Sequence, residues 1–154
     1  MDILSIMLDE KDECILAELK KNSRNSTKNI ASNVKIPRIT VHSRIQKMID
    51  NKIIKSFTVI PDYKKIGLNS TVFVFVSTNP CQSDVLLMPI AKEISKLSGV
   101  YEIHIISGEY DFLIKIRGVS FDEIGTHVIA KIKQIKGVGK TLTCACFTTV
   151  KEEV

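Results

Sequence analysis

The residues best suited to binding chemistry are ten lysines and arginines concentrated between positions 20 and 55. The same segment holds a single acid, Asp50, and so carries a charge of +9 in a chain whose formal net charge is +5. Such a concentration is typical of a surface that binds a polyphosphate, because each neutralised phosphate releases condensed counterions. Three of the four arginines, Arg24, Arg38 and Arg44, lie here, and the guanidinium fork recognises phosphate and guanine edges. A solvated lysine surface is the alternative interpretation.

Composition indicates a soluble globular protein with room for one large or two small domains, since 44% of the 154 residues are hydrophobic and 25% are charged. No N-terminal signal pattern is visible, and no run approaches the roughly 20 apolar residues of a membrane span. We therefore expect a cytoplasmic protein without a membrane segment. The four cysteines form no CxxC pair, and the three histidines belong to no metal or nucleophile motif. We expect no metal site, no cofactor and no catalytic centre.

Three helices are predicted in the first 60 residues. Asp9 and Ser26 are N-cap residue types, and each precedes a segment with apolar residues at helical spacing. A turn at residues 35–37 leads to a third helix from about residue 38 to 51. Two short helices joined by such a turn, with a third packed on them, predict a helix-turn-helix.

The third helix has one buried and one exposed side in the prediction. Val41, Ile45 and Met48 recur at the spacing of a core stripe, which places Ile39 and Ser43 nearly opposite. We expect base discrimination in duplex DNA from Arg38, Ile39, Thr40 and Ser43. We expect phosphate contacts from Arg24, Lys28, Lys35, Arg44 and Lys47. Arg44 lies beside the core stripe, so it fits either a phosphate clamp or a structural ion pair.

A linker strand, IIKSFTVIP, is expected to follow the helices and to end at Pro61. Charge supports a domain boundary there, because residues 1–60 carry a net +4 and residues 61–154 a net +1. The second domain alternates strands and helices in the order βαββαβ. This order predicts a ferredoxin-like antiparallel sheet with two helices on one face, and an α+β class for the whole chain.

Both faces of that sheet are apolar in the sequence. In the first strand Phe73 and Phe75 alternate with valines, and in the last strand Leu142 and Cys144 alternate with Ala145. An antiparallel sheet with one face in water should alternate apolar with polar residues. We therefore expect a second copy of the chain to cover the face without helices, which makes the protein a homodimer.

Several segments together resemble the Lrp/AsnC family of prokaryotic transcription regulators. They are LDEKDECIL, RNSTKNIA, RITVHSRI and NKIIKSF, followed by the βαββαβ unit with GEYD and a late KGV. The resemblance implies a helix-turn-helix joined by a strand to an effector-sensing domain that dimerises through its sheet, with dimers often assembling into octamers. It also implies regulation of transcription, often in response to amino acids. Lys35, Pro37 and Asn29 depart from the residues usual in the family's helix-turn-helix.

The family's ligand commonly lies near the turn that here reads Gly108, Glu109, Tyr110, Asp111. Gly108 and Asp111 match the family motif, whereas Glu109, Tyr110, His104 and Ser107 are included by position. A glycine turn can offer N–H groups to a carboxylate and Asp111 could hold an ammonium, which describes a receptor for a free amino acid. An ordinary hairpin turn is the alternative.

Two other functions fit the same architecture. Siroheme decarboxylases resemble this two-domain arrangement, although such an enzyme has no use for a basic recognition helix. A non-specific architectural DNA-binding protein would use the same residues as a sequence-specific regulator.

Overall fold

The computed structural model describes residues 8–79 and 87–152. It has α+β architecture, as the sequence predicts. Contacts within the chain define two compact units, and the chain passes from one unit to the other between Val59 and Ile60. The predicted domain boundary lies one residue further along.

The first unit consists of helices α1 (Glu10–Lys21), α2 (Thr27–Val34) and α3 (Arg38–Asp50). Both expected N-caps form. Asp9 accepts a hydrogen bond from the N–H of Asp12, whose carboxylate accepts one from the N–H of Asp9, and Ser26 Oγ accepts one from the N–H of Asn29. These caps satisfy N–H groups that a helix start leaves without partners. The predicted three-helix head is confirmed.

The core of this unit joins all three helices. Its buried side chains are those of Ile15, Leu19, Ile30, Ile36, Val41 and Met48. The predicted stripe on α3 is thus buried at Val41 and Met48, while Ile45 is half-buried and packs against the same cluster. Burial of this stripe determines which side of α3 faces outward.

Lys35 closes α2 in a left-handed conformation, with φ 54° and ψ 43°. Its N–H donates to the carbonyl of Ala31, and the N–H of Ile36 donates to the same carbonyl at 3.1 Å. The chain then turns so that Ile36 enters the core. The turn depends on a backbone conformation that costs a residue with a Cβ about 1 kcal/mol or more relative to glycine.

The prediction of a linker strand is wrong for the single chain. No strand forms between residues 52 and 61, and Phe57, Val59 and Ile60 are exposed, with Val59 at 77%. A strand requires a hydrogen-bonding neighbour. The four strands of the second unit pair with one another, and no strand among the described residues pairs with the linker.

The second unit is the predicted ferredoxin-like sheet. Its strands are β1 (Ser70–Thr78), β2 (Val100–Ile105), β3 (Phe112–Gly118) and β4 (Val138–Cys146), in the spatial order β2-β3-β1-β4. All three pairings are antiparallel. Helix α4 (Leu87–Ser95) and a second helix, α5, supply the two crossovers. Helix α5 is continuous through Phe121–Glu123, the π-helical segment Ile124–Ile129, and Ala130–Gln134.

The two faces of the sheet differ in burial. Val72, Val74 and Val76 of β1 pack beneath the helices with alternate residues of β3. Phe73 and Phe75 point to the other face, hereafter the open face, where both are only half-buried. Leu142, opposite Phe75 in the register, is exposed. Along β1 and β4 the open face is therefore apolar and partly in contact with water, as the sequence pattern predicts.

Replacing Lys35 with Gly should stabilise the first unit by about 1 kcal/mol relative to replacing it with Ala, because only glycine relieves the left-handed strain. Both variants remove the same charge, so Lys35→Ala is the matched control. Urea denaturation followed by circular dichroism measures the difference. Equal stability of the two variants would contradict the strain at this turn.

Candidate nucleic-acid interface and ligand turn

The outward side of α3 presents the residues expected to read base edges. Ile39 is 86% exposed, and Arg38, Ser43 and Lys47 are exposed around it, while Thr40 is half-buried. An apolar side chain so far from the core gains nothing from folding. Its position suits contact with a partner surface rather than stability of the head.

Arg38 is oriented by a residue that the sequence did not single out. Its Nε donates to Thr27 Oγ1 at 3.2 Å, which links the first turn of α3 to the first turn of α2. The hydroxyl thereby directs the terminal amino groups of the guanidinium, the pair suited to a bidentate contact. A threonine at the start of a helix is common, so nothing in its spacing indicates this role.

The remaining phosphate candidates lie near the start of α2 and at the turn after it. Arg24 precedes the helix, Lys28 lies in its first turn and Lys35 ends it, and all three are exposed. Ser26 caps the helix between Arg24 and Lys28. Cations around a helix N-terminus, whose N–H groups also attract anions, form a suitable surface for a phosphate backbone.

Arg44 forms the ion pair that the sequence left as one of two possibilities. Its terminal nitrogen lies 2.7 Å from Asp9 Oδ2 and 2.7 Å from Asp12 Oδ1. Hydrogen bonds to Asp12 and Asp9 raise the pKa of Arg44. The N–H of Asp12 and the Arg44 guanidinium lower the pKa of Asp9. The arginine thus fastens α3 to the capped start of α1.

The turn between β2 and β3 is tied to β1 by Asp111. Its Oδ2 accepts hydrogen bonds from the N–H of Thr78 at 2.6 Å and from Thr78 Oγ1 at 2.8 Å. The N–H of Asp111 donates to the carbonyl of Val76, and the carbonyl of Asp111 accepts from the N–H of Ile106. Asp111 therefore has a structural role, and within residues 8–79 and 87–152 its Oδ1 is the carboxylate oxygen without a hydrogen bond.

The structure brings five of the six effector candidates into one turn. Gly108 is exposed, with φ +128°, and a Cβ there would enter open space. Ser107 and Glu109 are exposed, and the ring of Tyr110 lies 5.5 Å from that of Phe75. His104 is separate from the turn, on the open face beside Glu102 at 3.4 Å.

Two further observations apply to residues 8–79 and 87–152. No group of three or more histidine, cysteine, aspartate or glutamate side chains in these ranges is arranged to hold a metal ion. No helix in them is long and apolar enough to cross a bilayer.

Family models match both units. Residues 8–55 match a winged helix-turn-helix DNA-binding model, and residues 71–154 match the Lrp/AsnC ligand binding domain. The chain belongs to the Lrp/AsnC family. An HTH-type transcriptional regulator of Pyrococcus furiosus is 43% identical to this Lrp/AsnC protein over 148 residues, covering 96% of the chain and 98% of the relative. The protein is accordingly a transcriptional regulator with a helix-turn-helix.

Solved structures show the same fold. Escherichia coli AsnC aligns with a TM-score of 0.84 at 22% identity, covering 96% of this chain and 97% of its own. A Neisseria meningitidis transcriptional regulator in complex with L-Met aligns with a TM-score of 0.83 at 17% identity, covering 96% and 94%. The Pyrococcus furiosus relative is named a transcriptional regulator, so it lends no support to a siroheme decarboxylase.

Replacing Arg44 with Met should lower the melting temperature of this Lrp/AsnC protein at pH 7, because two aspartates lose their cation. A carboxylate with a lowered folded-state pKa adds stability above its unfolded-state pKa, and this stability is lost as the pH falls through the folded-state pKa. The difference in melting temperature between wild type and R44M should therefore become smaller below pH 3.8, the ordinary pKa of aspartate. Thermal melts from about pH 2.5 to pH 7, a range that spans the usual carboxylate pKa values, measure this difference in melting temperature.

The matched controls for this melt are Asp9→Asn and Lys47→Met. Asparagine keeps an N-cap but removes the charge, so D9N should reproduce part of the R44M gap. K47M removes an exposed cation of the same helix and should leave the melt unchanged. A melting-temperature difference between wild type and R44M that stays constant with pH would rule out the ion pair as its cause.

Proposed function

We propose that this protein is a cytoplasmic regulator that binds a specific sequence in double-stranded DNA as a homodimer and responds to a free amino acid. The observation that supports DNA reading most directly is the outward side of α3, where Ile39 is 86% exposed between cationic and hydroxyl side chains. A major groove about 12 Å wide admits one helix with such a surface.

In this proposal α3 supplies the base contacts. The Arg38 guanidinium, directed by Thr27 at 3.2 Å, pairs with a guanine edge, and Ile39 packs on a thymine methyl. Thr40 and Ser43 add hydroxyl contacts to bases or phosphates. Because Arg38 would select guanine and Ile39 would select thymine, we expect a DNA site that contains both G·C and A·T pairs.

Phosphate contacts come from exposed cations of α2, its flanking residues and α3. Arg24, Lys28 and Lys35 lie along α2, and Lys47 lies on α3. Arg44 was expected among them. Its bonds to Asp9 and Asp12 instead favour an indirect contribution, in which it holds α3 at the angle that DNA entry requires.

Dimerisation is supported by two apolar surfaces. One is the open face, with half-buried Phe73 and Phe75 and exposed Leu142. The other is the unpaired linker with Phe57, Val59 and Ile60. A second copy could cover the face and pair with the linker, since both surfaces are present on each copy and a two-fold interface is self-complementary. The family resemblance further implies that such dimers assemble into octamers.

The effector proposal centres on the Ser107–Asp111 turn. Backbone N–H groups of the exposed residues around Gly108 would suit a carboxylate, and Asp111 Oδ1 would suit an ammonium. The domain model that matches this unit is described as ligand binding, and the Neisseria meningitidis relative was solved with L-Met. The first observation supports a bound ligand, and the second supports an amino acid as its class.

Salt dependence tests the phosphate contacts. Replacing Lys28 or Lys47 with Ala should each reduce the magnitude of the log–log slope of binding against salt by about 0.9. Fluorescence anisotropy with a labelled duplex over a range of salt concentrations measures the slope. Lys133→Ala, an exposed lysine of α5, is the control and should leave it unchanged. A wild-type slope near zero would exclude the DNA-binding proposal.

Selection from a random DNA pool tests specificity. The wild type should enrich two inverted half-sites separated by one or more helical turns. R38A should lose about 1–3 kcal/mol and relax the preference at one base position, whereas I39A should relax it at a thymine. Enrichment of no motif would identify the architectural alternative.

The same selection repeated with a mixture of free amino acids tests the effector. We expect the mixture to change the enrichment or the affinity of the wild type. Pools that are identical with and without amino acids would contradict the effector proposal and leave the DNA result intact.

A further inference from the structure

The open face of the sheet carries charged side chains beside its apolar strands. Along β3, Ile114 and Ile116 are buried beneath the helices. Lys115 and Arg117 alternate with them and therefore point to the open face. Glu102 of β2 lies opposite Lys115 in the register and accepts a hydrogen bond from its Nζ at 2.9 Å. The face thus has an apolar half on β1 and β4 and a charged half on β2 and β3.

The end of the chain brings a further acid to the charged half. Cys146 ends β4 at the edge of the sheet, and β1 lies between β4 and β3. Glu152 accepts hydrogen bonds from one terminal nitrogen of Arg117 at 2.6 Å to each carboxylate oxygen, and it accepts another from Lys115. Residues 147–152, hereafter the tail, therefore cross from β4 to β3 on the open face.

The tail balances the charges of this half. Lys115 and Arg117 supply two positive charges, and Glu102 and Glu152 supply two negative ones. Hydrogen bonding from Lys115, followed by that from Arg117, lowers the pKa of Glu152 and keeps it ionised. These four side chains are neutral together, whereas without Glu152 the other three would carry one net positive charge.

Arg117 is desolvated within its own chain. Only 6% of its surface is exposed, and its guanidinium carbon lies 3.8 Å from the ring centre of Tyr63 and 5.6 Å from that of Tyr101. Another terminal nitrogen donates to Thr71 Oγ1 at 3.0 Å. A guanidinium stays charged in proteins, so a buried one without an anion is strongly unfavourable. Glu152 supplies that anion from the same chain, so the charge is cancelled before two copies meet.

Charge balance matters when a second copy covers the open face. A two-fold interface places the same surface on both partners, so the charged half meets either its own equivalent or the partner's apolar half. A net positive charge would face a like charge in the first arrangement and would lose its water without compensation in the second. Only a neutral charged half is compatible with burial in both arrangements.

We propose that the tail neutralises the subunit interface: Glu152 cancels the net charge of the charged half, so that a second copy of this chain can cover the whole open face. The inference rests on the homodimer of the proposed function and adds the tail to its interface. The apolar side chains of the tail suit the same partner. Phe147 is 93% exposed and Val150 is 95% exposed, and the tail that carries them crosses the face that the second copy covers.

Replacing Glu152 with Gln tests the charge. Each copy of E152Q carries an uncompensated cation, so the dimer dissociation constant should rise at least about tenfold. Sedimentation equilibrium of the full-length protein without DNA, over a dilution series, measures this constant. Glu93→Gln is the matched control and should leave it unchanged, since Glu93 forms an exposed ion pair with Lys96 on α4.

A double variant separates charge from the position of the tail. Arg117→Met alone leaves one net negative charge and should also weaken the dimer. Combined with E152Q it restores neutrality and keeps the pair between Lys115 and Glu102, so dissociation should return to within about threefold of wild type. If the double variant shows no cooperative melt, Lys115→Met replaces Arg117→Met. A double variant as weak as E152Q would overturn the charge assignment.

Replacing Phe147 with Ser tests the apolar contact of the tail. F147S should raise the dissociation constant at least about tenfold, because a buried aromatic side chain contributes strongly to an interface. Phe121→Ser is the matched control, since Phe121 is an exposed phenylalanine at the start of α5, on the side of the sheet that carries the helices.

The same measurements separate this inference from the homodimer itself. A wild type that is monomeric at every concentration would refute the homodimer, and the role of the tail with it. A dimeric wild type whose E152Q and F147S variants behave like their controls would overturn the role of the tail and leave the homodimer intact. The samples contain no DNA, so the result is also independent of DNA binding.

Discussion

The position of α3 depends on one carboxylate that has two partners. Asp9 caps α1 through the N–H of Asp12 and also binds Arg44 of α3. A helix start and a cross-helix contact are therefore coupled through the same side chain. The hydrophobic core joins the three helices, but apolar contacts are non-directional. The Asp9–Arg44 contact adds direction, and it leaves Ile39 and Arg38 facing outward on a fixed surface.

Arg44 and Arg117 both form ion pairs, but the two pairs differ in their exposure to solvent. Arg44 remains partly in contact with water and bonds two aspartates of a neighbouring helix. Arg117 is desolvated beneath Tyr63 and depends on a carboxylate from a distant segment. Screening by solvent makes the first a modest orienting contact. Desolvation makes the second a demanding one, because a buried guanidinium without an anion is strongly unfavourable.

Local patterns were enough to predict most of the fold. The caps at Asp9 and Ser26, the stripe at Val41 and Met48, and the βαββαβ order all depend on residues close in sequence, and the structure confirms them. The linker strand failed because strand formation depends on a hydrogen-bonding neighbour, and no strand among the described residues pairs with the linker. The Arg117–Glu152 pair was missed for a related reason. Its members are 35 positions apart, and neither belongs to a motif that would connect them.

The exposed linker also affects how the protein behaves before it is assembled. Residues 56–60 read SFTVI, a short uncharged run rich in β-forming side chains, and Phe57, Val59 and Ile60 are exposed in the single chain. Such a segment can template cross-β aggregation between identical copies. Lys55 and Pro61 bracket the run, and a charge and a proline are the gatekeepers that limit this kind of growth. Solubility at high expression should therefore depend on these two flanking residues more than on the net charge of the whole chain.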